Sequence, residues 1–309
     1  MLNYLILNVI IELIALTTLI IADSDDPLMT KERWNWVKDD KNCSKVAYGN
    51  SAKDPSLRCY WINDKMTIFK MEVVNRDPLI LRYHELVHRR KCKRIIEASK
   101  SMNIKQTAVV GNGMNNLVAS KGRNANGTWV AHHFPGEIND MFNVVQRAVL
   151  AYDLDAAELF QLLSYESGGY YVPHFDYIDP EATPDDINRN GNRIATMLII
   201  IKTAKQGGTT IFPTLNINIR PNVGDVILWN NLDSTGEVEP KSFHAACPIK
   251  EGHKIGISLW VREKGQEIRA QCETKKRFVI DRFFRPFRGP EDIPLFTKGI
   301  EPYFGGASN

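Results

Sequence analysis

Hydrophobic residues recur with two different periods along the chain, and the change of period separates a helical region from a strand-rich region. Between positions 137 and 151, apolar residues return every three or four positions, as the buried stripe of an amphipathic helix requires. A second helix is predicted over positions 85–100, and short alternating stretches at 71–75 and 79–82 predict strands. We therefore expect two helices before the main strand region.

Beyond position 158 the apolar residues form short runs that glycine and proline separate. Such runs are typical of buried strands, and about eight short strands are expected after the helices. The clearest runs are 194–201, 209–212, 226–229 and 255–261. Helices followed by many short strands predict an α+β fold whose β part is a sandwich or a jelly roll.

The first 22 residues differ from the rest of the chain. Positions 5–21 are largely apolar, and a polar stretch begins after Ala22, as at the cleavage site of a secretory signal peptide. The run is close to membrane-spanning length, so an uncleaved anchor is the alternative. The predicted regions are a signal peptide at 1–22, an extension at 23–70, a helical support region at 71–154, a jelly roll at 155–272 and a tail at 273–309.

Secretory entry changes the interpretation of the five cysteines, because disulfides form in oxidising compartments. Their spacing favours Cys43–Cys59 and Cys247–Cys272, although connectivity does not follow from sequence alone. Cys92 shares a helical face with apolar residues and is expected to be a buried thiol.

Two N-glycosylation sequons begin at Asn42 and Asn126. Asn126 lies in a polar stretch and is the preferred site, whereas Asn42 is next to a predicted disulfide. The composition is that of a globular protein, with 43% hydrophobic and 24% charged residues. The formal charge of +3 gives no support for nucleic-acid binding.

The stretch 165–176 contains the first candidate for chemistry. His174 and Asp176 are two residues apart, a spacing that places two strand side chains on one face. With His244 they would complete a 2-His-1-carboxylate triad, which holds Fe(II) and leaves positions open for substrates. A zinc hydrolase is a poorer alternative, because no general base stands at a recognisable spacing.

Lys254 is the second candidate, since it begins the predicted strand that follows His244. A hairpin would return its side chain to the depth of the metal site. A buried ammonium is costly unless it meets an anion. The anion that suits an iron site of this type is the distal carboxylate of 2-oxoglutarate.

Five ordered motifs resemble the catalytic domain of the prolyl 4-hydroxylase α subunits. The motifs are 162–176, 191–196, 207–213, 244–248 followed by Lys254, and Trp260 leading into 265–269. The resemblance implies a double-stranded β-helix, or jelly roll, with flanking N-terminal helices. It also implies an enzyme of the endoplasmic reticulum lumen that uses Fe(II), O2, 2-oxoglutarate and L-ascorbate to hydroxylate peptidyl proline.

The resemblance also assigns individual roles. His174, Asp176 and His244 would ligate iron, and Lys254 and Tyr165 would hold the distal carboxylate of 2-oxoglutarate. Residues implied on the peptide-substrate side are Tyr171 and Arg193. The family's disulfides agree with Cys43–Cys59 and Cys247–Cys272.

The sequence departs from the family in two ways. Arg262 stands where the family usually has a histidine, so that turnover or specificity differs, or the change is neutral. Fewer than 50 residues lie between the predicted signal peptide and Met71, too few for the family's dimerisation and peptide-binding segments. A partnership with protein disulfide isomerase is therefore doubtful.

Three functions follow in order of preference. The first is prolyl 4-hydroxylation of collagen-like or other secreted chains. The second is a dioxygenase that hydroxylates another side chain. The third, from a different class, is a non-catalytic jelly-roll module that binds proline-rich peptides, which the presence of all three iron positions disfavours.

Overall fold

A computed structural model describes residues 59–63, 68–102, 104–106, 109–110, 117–118 and 121–266, and the single positions 33, 36, 43, 278 and 283. The predicted signal peptide and most of the predicted tail lie outside these residues. Of the helices that are described, none is both long enough and apolar enough to cross a membrane.

The described residues form eighteen strands and three α-helices. The strands are β1 (Cys59–Asn63), β2 (Ile68–Arg76), β3 (Leu79–His84), β4 (Lys105–Gln106), β5 (Val109–Val110), β6 (Leu117–Val118), β7 (Arg123–Asn124), β8 (Asn126–Val130), β9 (Phe160–Tyr165), β10 (Tyr170–His174), β11 (Arg193–Lys202), β12 (Gln206–Gly207), β13 (Thr210–Phe212), β14 (Ile217–Ile219), β15 (Val226–Asn230), β16 (His244–Ala246), β17 (Ile249–Glu251) and β18 (Lys254–Arg262). The helices are α1 (Arg89–Ser99), α2 (Glu137–Ala148) and α3 (Pro184–Asn190).

Two antiparallel sheets dominate the fold. The main sheet has nine strands in the order β1-β2-β3-β15-β11-β18-β9-β8-β4, and the second has five in the order β14-β13-β16-β10-β7. The pairs β5–β6 and β12–β17 form small two-stranded sheets. The two large sheets and the flanking helices confirm the predicted α+β jelly roll.

The two faces of the main sheet have different partners. One face packs against α1 and α2, where Ile95 and Phe142 share a cluster with Met197 and Leu259. The other face meets the second sheet through a smaller apolar cluster that includes Trp229 and Phe212. Because strand side chains alternate, every second residue of the central strands faces the helices and the others face the second sheet.

The predicted elements agree closely with the structure in the strand-rich region, where β11, β15 and β18 differ by two residues or fewer at each end. The helix predicted at positions 85–100 is α1, and it begins four residues later than position 85. His88 caps it by accepting a hydrogen bond from the backbone N–H of Arg90. Strands from both sides of position 155 share the main sheet, since β3 pairs with β15 and β8 with β9. The predicted domain boundaries stay a prediction.

Both predicted disulfide pairings are wrong in the structure. Cys43 is joined to Cys247, with Cα atoms 5.8 Å apart, and Cys59 is exposed and free. Cys272 lies outside the described residues. Cys43 packs with Cys247 and Ile211 in a small apolar cluster, so its partner is selected by contact in the fold and not by nearness in sequence.

The sequence also predicts a buried thiol and two N-glycosylation sites. Cys92 is buried, as expected, and burial raises the pKa of its thiol to about 11. Asn126 is exposed, but it begins β8 and is not in a loop as the polar stretch suggests. Its glycosylation stays a prediction, and Asn42 lies outside the described residues.

Candidate metal centre

Three buried side chains converge where β10 and β16 pair. His174 ends β10, His244 begins β16, and the two residues are direct partners across the ladder. Asp176 follows just beyond the end of β10. One ligand atom from each of the three residues lies within 4.8 Å of the other two. The structure therefore brings the predicted 2-His-1-carboxylate set together in a geometry that can hold an iron ion on one face.

Both imidazoles are oriented by main-chain carbonyls. Nδ1 of His174 lies 2.8 Å from the carbonyl oxygen of Val172, and Nδ1 of His244 lies 2.9 Å from that of Ser242. An Nδ1–H donates in each case, which leaves the Nε2 lone pair free. Both Nε2 atoms lie 3.5 Å from oxygens of Asp176. The two histidines are thus held in the tautomer that binds a metal.

Electrostatics favours the same protonation states. Burial, followed by the proximity of His174, lowers the pKa of His244 to about 4. Burial alone would raise the pKa of Asp176, but His244 and His174 outweigh it and hold this pKa well below its usual range. A neutral His244 imidazole beside an ionised Asp176 carboxylate is the combination that binds a divalent cation.

A buried relay orients the carboxylate. The hydroxyl of Thr196 donates to Oδ2 of Asp176 over 2.8 Å, and the side-chain amide of Asn231 donates to Oγ1 of Thr196 over 2.9 Å. Thr196 and Asn231 are both almost completely inaccessible to solvent. Thr196 lies in a motif that the sequence highlights, yet nothing in the sequence assigns it to Asp176.

A cavity opens beside the three ligands, and its wall includes Tyr165, Thr210, Lys254, Ser258 and Trp260. Lys254 is 3% exposed, and its Nζ donates to the carbonyl of Gly208 over 2.7 Å. Within the described part of the chain, no carboxylate pairs with this ammonium, and burial lowers its pKa to about 8. Oγ1 of Thr210 is buried without a hydrogen-bond partner there.

These features test whether the predicted cosubstrate fits. A buried cation without a counter-ion and an unsatisfied hydroxyl each lose free energy unless a ligand meets them. A carboxylate would meet both, and the metal ligands of the same cavity suit a 2-oxo acid chelate. The residues present therefore fit Fe(II) together with 2-oxoglutarate.

Two tyrosines flank the cavity. Tyr165 is the direct partner of Lys254 across β9 and β18, and Nζ of Lys254 lies 6.0 Å from its ring centroid. Burial raises the pKa of Tyr165, so its phenol stays protonated and able to donate. The ring of Tyr171 stacks on His174 at a centroid distance of 3.6 Å. Sequence analysis missed Arg123, which lines the cavity from β7 at 5.1 Å from the centroid of Tyr171.

The predicted substrate-side arginines meet in an ion network at the rim. Both Nε and Nη2 of Arg193 donate to Glu158, over 2.6 and 2.7 Å. Arg262 donates to Glu158 over 2.8 Å and to Asp186 on α3 over 2.6 Å. The guanidinium of Arg193 also lies 4.1 Å from the ring centroid of Trp260. Sequence analysis missed Glu158 and Asp186, because an isolated carboxylate carries no motif.

The fold and the site define a class of protein. Residues 160–262 match the 2OG-Fe(II) oxygenase superfamily, and this region contains His174, Asp176, His244 and Lys254. The three residues of the predicted triad lie inside the matched region and converge in the structure. The chain thus carries a 2OG-Fe(II) oxygenase domain.

Within that class, the chain is similar to the prolyl 4-hydroxylase α subunits. It is 30% identical to "Prolyl 4-hydroxylase subunit alpha-2" of Caenorhabditis elegans over 237 residues, which is 73% of this chain and 43% of that protein. It is also 30% identical to subunit alpha-1 of the same organism over 262 residues, 81% of this chain and 46% of that protein. The predicted resemblance is confirmed, and the chain spans less than half the length of these curated relatives.

A solved structure is also similar. The viral collagen prolyl hydroxylase of Paramecium Bursaria Chlorella virus-1, in its 2OG complex, is 24% identical to this chain. The alignment covers 59% of this chain and 95% of that one, with a TM-score of 0.44.

Proposed function

We propose that this chain is an Fe(II)- and 2-oxoglutarate-dependent dioxygenase that hydroxylates peptidyl proline at C4. The observation that carries the proposal is the shared cavity of the metal triad and Lys254. A site with three metal ligands on one side, and on the other a buried cation that no carboxylate of the described residues pairs, suits a chelating dianion. A zinc hydrolase would leave Lys254 without a role.

Each part of the cavity has a task in this reaction. When bound, iron, O2 and 2-oxoglutarate supply the oxidation, in which one oxygen atom becomes the proline hydroxyl and the other enters succinate as CO2 leaves. Nε2 of His174 and His244 and the carboxylate of Asp176 hold the ion. Lys254 and Tyr165 fix the distal carboxylate of the cosubstrate. The proposed reaction also uses L-ascorbate, as the reductant that keeps the iron in the Fe(II) state.

The substrate assignment is supported by the relatives, which are named prolyl 4-hydroxylase subunits. The proposed substrate is a peptidyl proline in a collagen-like or other secreted chain. The aromatic rings of Tyr171 and Trp260 line the cavity, and the guanidinium of Arg193 stacks on the ring of Trp260. We assign this side of the cavity to the approach of an extended peptide. Such surfaces suit proline rings, which keep little conformational freedom to lose on binding.

The test follows succinate release by the full chain with Fe(II), ascorbate and 2-oxoglutarate, with and without a Pro-Pro-Gly repeat peptide. We expect peptide-stimulated succinate and a mass increase of one oxygen atom on proline, both abolished in His174→Ala. Succinate that depends on His174 but ignores the peptide would favour a dioxygenase acting on another side chain. Iron binding without any turnover would favour a non-catalytic peptide-binding module.

The proposed location is the lumen of the endoplasmic reticulum. It is supported by the apolar run at positions 5–21, which lies outside the described residues. Amino-terminal sequencing of the protein from a eukaryotic host tests it, because cleavage after Ala22 would start the mature chain at Asp23. Retention of Met1 in a membrane fraction would instead favour the anchor.

A further inference from the structure

Four charged side chains at the rim form a closed network, in which Glu158 and Asp186 compensate Arg193 and Arg262. Arg262 is 5% exposed, and its two terminal nitrogens each donate to a different carboxylate, over 2.8 Å and 2.6 Å. Arg262 is buried while Glu158 and Asp186 are partly exposed, and its charge-assisted hydrogen bonds to them are short. Neither arginine can therefore turn to a substrate without breaking an internal pair.

Asp186 belongs to a segment that departs from the sheets, here called the rim excursion and defined as residues 177–192. It begins immediately after the metal ligand Asp176 and returns to the sheet at Arg193, and α3 lies within it. Its two ends are joined, since the side-chain amide of Asn192 exchanges two hydrogen bonds with the backbone of Ile178. The base of the excursion is thus closed by its own residues and by Glu263, whose backbone N–H donates to the carbonyl of Asn192 over 2.9 Å.

The middle of the excursion is held differently. α3 is only seven residues long and has no buried residues, so apolar packing contributes little to its position. The ion pair from Arg262 to Asp186 joins α3 to β18 two residues after Trp260, which lines the cavity. Lys264 adds two further hydrogen bonds at the C-terminal end of α3, from its exposed side chain to the carbonyl of Asn188 and from its backbone N–H to that of Asn190 over 3.3 Å. The Arg262–Asp186 pair is the connection in the first turn of α3.

We propose that Arg262 is a positioning residue that holds the rim excursion against the main sheet through Asp186, and that this tie sets the affinity for the peptide. Arg262 then acts on the substrate indirectly, through the position of α3 against the end of β18, two residues after the cavity residue Trp260. The identity of the peptide rests on the proposed function. The tie between Arg262 and Asp186 does not depend on that function.

The tie is tested by hydrogen exchange on the full protein. We expect backbone amides of residues 177–192 to exchange roughly tenfold faster in Arg262→Gln and in Asp186→Asn, with the double variant no faster than either single one. The control is Glu85→Gln, which removes an exposed ion pair to Arg89 far from the excursion and should leave these amides unchanged. Equal exchange in wild type and both variants would overturn the proposal.

The consequence for the substrate is tested by fluorescence anisotropy of a labelled proline-rich peptide on protein loaded with Mn(II) and 2-oxoglutarate. We expect a dissociation constant several-fold higher in Arg262→Gln and Asp186→Asn, and unchanged binding of 2-oxoglutarate. Faster exchange with unaltered peptide affinity would overturn the link between the tie and the substrate. If the wild type binds no such peptide, the proposed function fails, and the exchange measurement still decides whether the tie exists.

Discussion

The two faces of β9, β11 and β18 differ in the polarity of their side chains, although the same three strands build both. The face toward α1 and α2 is mainly apolar, with Leu162, Met197 and Leu259 in one large cluster. The face toward the second sheet carries polar groups in alternate positions, among them Thr196 and Lys254. A strand period of two residues therefore separates the core from the site without separating the segments that build them.

This comparison shows why a costly site can persist in a stable fold. Among the described residues, the cavity face contains a buried ammonium without a carboxylate partner and polar atoms without a hydrogen bond, and both lower stability. The helix-facing side of the same strands buries apolar surface, which stabilises by about 25 cal/mol per Å². Adjacent substitutions on one strand should therefore have effects of different kind and even of different sign.

The largest expected effect on stability comes from Leu259→Ala, on the helix-facing side of β18. Leu259 is fully buried, so the cavity left behind should lower the free energy of unfolding by about 2–5 kcal/mol. Its neighbour Ser258 faces the site, and Ser258→Ala should change the same quantity by less than about 1 kcal/mol. Urea denaturation measures both, and equal losses would contradict the separation of the two faces.

Lys254→Gln should separate binding from stability most clearly. The variant leaves the distal carboxylate of 2-oxoglutarate without a cation, so its affinity should fall by about 2–3 kcal/mol, roughly a hundredfold. Because the unliganded protein no longer buries an unpaired charge, its melting temperature should stay the same or rise. Calorimetry with Mn(II)-loaded protein measures the affinity, with the exposed Lys205→Gln as the control. A lower melting temperature with unchanged affinity would assign Lys254 to the core.

Thr196→Val should have a smaller effect, and this effect should be limited to the affinity for the metal ion. The valine keeps the shape of the threonine but removes the hydrogen bond to Asp176, so metal affinity should fall about 10- to 100-fold. Thr196→Ser restores the hydroxyl and should recover most of this loss. Titration with Mn(II), followed by its electron spin resonance, gives the affinities. If the serine variant binds as weakly as the valine variant, the methyl group and not the hydroxyl matters.

How far the sequence predicts this molecule depends on the range of the interaction. The period of apolar positions locates β11, β15 and β18, because that pattern is local. His174, Asp176 and His244 were predictable from a motif that their chemistry requires.

Interactions between distant residues that no motif marks were not predictable. The Cys43–Cys247 bond joins positions 204 residues apart, and Arg262 meets Glu158 and Asp186 across 104 and 76 residues. One cysteine or one carboxylate has no periodicity and no fixed spacing, so only the fold selects its partner. The rim, which depends on such pairs, is therefore the part of the site that needed the structure.

The smallest expected effect is a pH dependence of cosubstrate binding that Lys254 causes. Burial lowers its pKa to about 8 in the unliganded protein, below the unfolded value of about 10.4. Below about pH 8 the cation is present, and above it the proton must be regained on binding. Affinity for 2-oxoglutarate should therefore weaken as pH rises, by at most about tenfold per unit.

Folding stability should change in the opposite direction. The cost of burying the charged form is complete below about pH 8 and declines as pH rises toward about 10.4, because the folded chain releases its proton first. Calorimetric titration of the Mn(II)-loaded wild type and of Lys254→Gln, between about pH 7 and about pH 9, isolates the contribution of this one group. The variant should bind weakly at every pH without this slope, whereas an identical slope in both proteins would place the titrating group elsewhere in the cavity.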